Sequence, residues 1–130
     1  MKRSIFALTL LLSAPAFAHK VFFIEPKDGA VVTSPVHFKF GFEGVKVRPA
    51  GTDINVRDAG HFHILINQGP YPKAKVIPKD ATHIHYGKGQ TEATLNLKPG
   101  KYTLTLQFAD GLHRSYGKHV SQTIHITVKK

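Results

Sequence analysis

The residues in this chain whose types and spacing could do chemistry are its histidines. Gly60-His61-Phe62-His63-Ile64-Leu65-Ile66-Asn67 carries one His-x-His pair, and His83-Ile84-His85-Tyr86 carries a second. On a β-strand, side chains repeat on one face every second residue, roughly 6.5 to 7 Å apart, so both rings of each pair project to the same side. Neutral imidazoles take Zn(II), Cu(II) or Ni(II) at about 2.0 to 2.1 Å, and two such strands could converge four of them. The competing reading is that the rings decorate the polar face of a half-buried strand.

Composition narrows the chemistry further. The chain has no Cys, and its one Met is Met1, so thiolate sites, blue-copper centres, disulfides, Cys nucleophiles and thioether sites for Cu(I) are excluded. Any ion is held by nitrogen and oxygen. The affinity order of divalent ions then favours Cu(II), with Zn(II) as the second candidate. Binding is expected to weaken below about pH 6, as imidazoles protonate.

The N-terminus adds another candidate. Lys2 and Arg3, the apolar run Ile5 to Leu12 and the small-x-small motif Ala16-Phe17-Ala18 read as a cleavable export signal over residues 1–18. The run is too short to span a bilayer, so a periplasmic protein without a transmembrane anchor is expected. A cut after Ala16 is the competing site. Cleavage after Ala18 makes His19 the first residue, whose free α-amine and Nδ1 can chelate one copper ion in the arrangement called a histidine brace. Otherwise His19 is a frayed terminal residue. His113 and Asp110 share a loop where a carboxylate could orient or join an imidazole, which makes them secondary candidates. The candidate metal ligands are therefore His19, His61, His63, His83, His85 and His113.

These residues must be positioned by strands. Residues 19–130 are enough for one domain. Lys20 to Ile24 is an apolar strand closed by the turn Pro26-Lys27-Asp28-Gly29. Val36, Phe38, Phe40 and Phe42 share a face opposite His37 and Lys39, which sets His37 toward solvent. Residues 43–60 read as a long connection with one short strand. In the next strand Phe62, Ile64 and Ile66 take the apolar face and leave His61 and His63 on the other. Residues 67–82, with Pro70, Pro72 and Pro78, form an irregular connection that either folds over the histidines as a lid or packs variably.

Gly87-Lys88-Gly89-Gln90-Thr91 lacks phosphate-loop spacing and a following helix, so nucleotide binding is rejected; the two glycines are expected to supply positive φ. Residues 93–97 and 102–108 read as a hairpin, with Tyr102, Leu104, Leu106 and Phe108 inward and Thr103, Thr105 and Gln107 outward. The last strand places Ile124, Ile126 and Val128 inward and His125 at the surface. No segment keeps a helical period. The expected fold is all-β: a small antiparallel two-sheet sandwich, immunoglobulin-like or Greek-key, with six or seven strands.

Lys20 to Ala30, Val47 to Gly51, Gly60 to Ile66 and His83 to Glu92 together resemble the domain of unknown function 4399 family of exported bacterial proteins. The resemblance spans nearly all of residues 19–130 and implies compartment and fold more than activity. Two departures stand out. Family members often carry a third histidine where this chain has Phe62, and an Asp where it has Asn67. The family's His- and Pro-rich segment after the last loop histidine is here Arg114 to His119. Separately, a processed N-terminal His19 followed by Pro26-x-x-Gly29-Ala30 is similar to the opening of the CopC-like periplasmic copper-binding proteins, which implies His19 as a Cu(II) ligand. That likeness covers only this opening, and a matching Asp-x-His near the end is missing.

The function expected from these features is a periplasmic binding protein that carries or sequesters a divalent transition metal. Loss of Lys2 and Arg3 with the signal lowers the formal charge from +10 to +8. Such a charge on an exported protein points to anionic surfaces before nucleic acid, so the alternative is a metal-free module recognising an anionic envelope component. That module would be strongly salt-dependent and indifferent to chelator. A copper oxidase using the His19 brace is a third reading, and no enzyme is expected.

Overall fold

The computed structural model describes residues 2, 4–10 and 19–130. The proposed cleavage motif at residues 16–18 lies outside the described residues. Ile5, Phe6, Leu8 and Leu10 are exposed and belong to no strand.

Among the described residues nine strands follow in order: β1 (Lys20–Glu25), β2 (Val31–Thr33), β3 (Val36–Glu43), β4 (Lys46–Val47), β5 (Ala59–Ile66), β6 (His83–Tyr86), β7 (Glu92–Leu95), β8 (Gly100–Ala109) and β9 (Ser121–Lys129). A 3-10 turn, Lys118–Val120, precedes β9. One sheet has three strands in the order β1-β3-β7. The other runs β2-β9-β8-β5-β4, with β6 also hydrogen-bonded to β5.

The fold is the expected β-sandwich, with more strands than the six or seven expected. The additional strands are short. β2 and β4, three and two residues long, pair in parallel with β9 and β5, so the sheets are not wholly antiparallel. β4 is the short strand expected within residues 43–60, and β2 follows a turn too irregular for a two-residue period to be read.

The core lies between the sheets because period-two alternation gives each strand one apolar face. Phe23, Phe38 and Phe40 from the first sheet meet Phe62, Leu106 and Phe108 from the second, and Phe40 sits 5.0 Å from Phe62 between ring centroids. Each such ring contributes on the order of 2 to 3 kcal/mol by leaving water.

The expected hairpin at residues 93–108 is not formed. β7 pairs with β3 and β8 pairs with β5 and β9, so the chain crosses from one sheet to the other at Leu97-Lys98-Pro99. Two apolar-alternating runs about a Pro-Gly turn fit either connection, and the pairing partner decides. Thr105 and Gln107, expected to face water, are fully buried. They do lie on the face away from the core, but a second layer covers that face.

Candidate functional site

The covering layer is built from residues 67–82 and 110–117. Gln107 Oε1 accepts from the Tyr71 amide at 3.0 Å, and its Nε2 donates to the carbonyls of Phe108, Gly117 and Val120. Thr105 Oγ1 donates to the carbonyl of Gln68, and Ser115 Oγ to that of Tyr71. Leu65, Ile77 and Ala109 form a small second core beneath Tyr71. The irregular connection after β5 is thus a fixed cover over the outer face of the large sheet.

Under this cover lie the histidines of β5. Phe62 and Ile64 point into the main core, while His61 and His63 point the other way and are 0 % and 1 % exposed. β6 runs antiparallel to β5 in a register that sets His85 directly opposite His63, with the rings stacked at 5.2 Å and 23°. The fourth ring arrives from the loop after β8. His113 adopts φ 64°, and its Nδ1 lies 3.1 Å from His61 Nε2. His61, His63, His85 and His113 each offer a nitrogen, and these atoms all fall within 4.8 Å of one another.

The His113 loop is held by Asp110. Its Oδ1 accepts from the amides of Leu112 and Arg114, both at 2.9 Å, and its Oδ2 from Arg114 Nε at 2.7 Å. The Ile77 amide donates to the His113 carbonyl at 2.9 Å, tying the loop to the cover. The left-handed backbone of His113 is uncommon for a residue with a side chain and is held by these contacts. Asp110 therefore orients the loop that carries the imidazole, and its carboxylate makes no hydrogen bond to the ring.

Gly87 does not have the expected positive φ, whereas Gly89 does, at 77°. What position 87 requires is space: a Cβ there would lie 2.2 Å from His85 Nε2.

The other two candidate ligands lie outside this group. His83 sits opposite Leu65, one step further along β6, with Nδ1 2.7 Å from Asp80 Oδ1 and its ring edge-on to Tyr71. His19 places Nε2 3.1 Å from Asp58 Oδ2. His37 and His125 are exposed beside carboxylates, as expected. Both family departures spare the cluster: Phe62 faces the core, and Asn67 is just past the opposite end of β5 at φ 57°, its Oδ1 accepting from the Thr103 amide.

The electrostatics favour neutral rings. Burial, then the neighbouring His85 and His113, push His61 down to about 4, with Asp110 opposing weakly. Burial, then His61, His85, His113 and His83, push His63 down to about 2. His85 is lowered by burial, His113 and Lys79. The weakening anticipated below about pH 6 therefore moves lower for the buried pair, because protons compete less for their nitrogens.

Whether the set suits a metal can be tested on its unpartnered atoms. His61 Nδ1, His63 Nδ1 and His85 Nε2 are buried with no hydrogen-bond partner. Each orphaned polar atom costs about 1 to 3 kcal/mol, and a structural core histidine is ordinarily satisfied. An ion bonded at about 2.0 to 2.1 Å separates its nitrogens by roughly 3.3 Å in a tetrahedron and roughly 2.9 to 4.1 Å in a square plane. The four donor atoms lie within 4.8 Å of one another, so the widest pair must close by at most roughly 0.7 Å for a square plane or roughly 1.5 Å for a tetrahedron. The donors fit a nitrogen-preferring divalent ion such as Cu(II) or Zn(II).

No described helix is long and apolar enough to cross a membrane. Comparison with curated proteins and with solved structures finds no match. The profile of the domain of unknown function DUF4399 matches residues 38–129, which include all four converging histidines, and the chain belongs to that family.

Proposed function

We propose that this chain is an exported, periplasmic binding protein for a divalent transition metal, Cu(II) before Zn(II), that acts in carriage or sequestration and not in catalysis. The observation that carries this reading is the group of four imidazoles whose nitrogens lie within 4.8 Å, three of them with a buried nitrogen lacking any partner. Such a set is costly in the metal-free fold and becomes favourable when an ion accepts the lone pairs. His61, His63, His85 and His113 are the ligands. His83, held by Asp80, adjoins them, and His19, beside Asp58, is the competing terminal chelate once cleavage at Ala18 frees its amine.

The test is Cu(II) titration of the protein purified after export, its first residue read by mass spectrometry. One ion per chain is expected, with binding lost when His61→Ala and His63→Ala are combined. Binding that survives this change but vanishes when one residue is added ahead of His19 assigns the ion to the terminus instead. No binding in either case leaves the metal-free module directed at an anionic envelope component.

A further inference from the structure

We propose that the chain has a second binding site, unrelated to the imidazole cluster, that takes an aromatic organic anion. The site is a cavity of about 780 Å³ between the cover and the end of the large sheet. That volume lies within the roughly 300 to 1,000 Å³ typical of sites for small organic ligands. None of its lining residues belongs to the four-histidine group.

Part of the lining is apolar: Val45, Pro70, Tyr71, Pro72, Tyr116 and Val120 border the space. Both tyrosines are fixed by the fold. Tyr116 stacks on Phe108 at 16° and donates its hydroxyl to the Ala59 carbonyl, while the Tyr71 backbone is held by the Gln107 and Ser115 side chains and its ring lies edge-on to His83. Two tyrosines and two prolines bordering a space of this size suit a planar aromatic body.

The charge at the cavity selects for an anion. Arg57, Lys73 and Lys118 line it against a single acid, Asp58, which already receives His19 Nε2 at 3.1 Å and lies 4.0 Å from Arg57 Nε. Lys73 and Lys118 make no ion pair among the described residues. Lys73 lies against Gly117, the residue before Lys118, since a Cβ on Gly117 would lie 3.0 Å from Lys73 Cβ. Two lysines without a carboxylate partner, lining a space bordered by tyrosine and proline, complement a ligand with a ring body and one carboxylate or sulfonate.

The probe is 2-naphthoate, added at neutral pH to the metal-free protein and followed by amide chemical shifts, so that the outcome does not depend on the metal reading. Saturable binding is expected, with shifts centred on residues 71–73 and 116–120. Affinity should fall about tenfold or more in the Lys73→Glu, Lys118→Glu double variant, and be lower by a similar factor for the uncharged 2-naphthylmethanol. Lys39→Glu, on the other sheet, serves as the control and should leave binding unchanged. No saturation, shifts centred elsewhere, a smaller effect in either comparison, or an equal loss in the control overturns the proposal.

Discussion

His63 carries the sharpest consequence of the site. It is fully buried, it faces His85, and its Nδ1 has no partner, so in the metal-free protein it weakens the fold. Replacing it with leucine, of similar volume, removes an orphaned polar atom without opening a large cavity. His63→Leu should therefore raise the metal-free denaturant midpoint, by about 1 to 3 kcal/mol in stability, while lowering Cu(II) affinity about tenfold or more. A histidine retained for packing or hydrogen bonding would give the opposite sign in the denaturation curve.

The depressed imidazoles also set a pH dependence. The unfolded chain titrates its histidines near about 6.5, whereas burial holds His61 at about 4 and His63 at about 2. Between these values the unfolded state binds more protons than the native state, so metal-free stability falls as pH drops below about 6.5. The slope is about 1 kcal/mol per pH unit for each such group. Above pH 7 neither histidine adds a slope. Denaturant midpoints from pH 7.5 to 4.5 should show this decline, and His63→Leu should make it shallower.

At the scale of elements, alternation told which face of β5 each side chain takes, because a strand offers only two. It did not tell that the second face is covered. That depends on Gln107 and Thr105 accepting and donating hydrogen bonds to residues 67–82, a long-range pairing with no periodic signature. The same blindness made β7 and β8 read as a hairpin, although their partners are in different sheets. The convergence of His61, His63 and His85 was legible from spacing. The arrival of His113 was visible only as a histidine near an aspartate in a loop, and His83, identical to His85 in local pattern, is drawn instead to Asp80.

Asp110 is where the element scale can be tested. Its carboxylate holds the amides of Leu112 and Arg114 and the Arg114 guanidinium, and so fixes the loop bearing His113. Asp110→Ala should lower Cu(II) affinity about tenfold or more by freeing one ligand, since partners that orient ligands commonly contribute that much. His61, His63 and His85 remain in place, so residual binding by three imidazoles is expected in the same titration. Loss no greater than that of a distant surface variant would show that the loop does not position a ligand.

For the molecule as a whole, the sandwich provides a rigid frame whose main core is independent of the cluster. Phe23, Phe38, Phe62 and Phe108 pack between the sheets whether or not the imidazoles hold an ion. The protein should thus be folded without metal and gain stability on loading, by about 2.7 kcal/mol when free ion exceeds Kd a hundredfold. A rise in the thermal midpoint with Cu(II), reversed by chelator, checks this. The positive charge of the chain is a separate property, and salt dependence of any envelope binding would report on it without involving the histidines.

X-ray absorption of the singly Cu(II)-loaded protein bears most directly on the claim that imidazoles from two strands and a loop close on one ion. A nitrogen shell at about 2.0 Å with outer-shell scattering from three or four imidazole rings is the expected spectrum, reduced in ring count by His85→Ala. A shell of mainly oxygen with one ring or none, or a spectrum unchanged by His85→Ala, would contradict it.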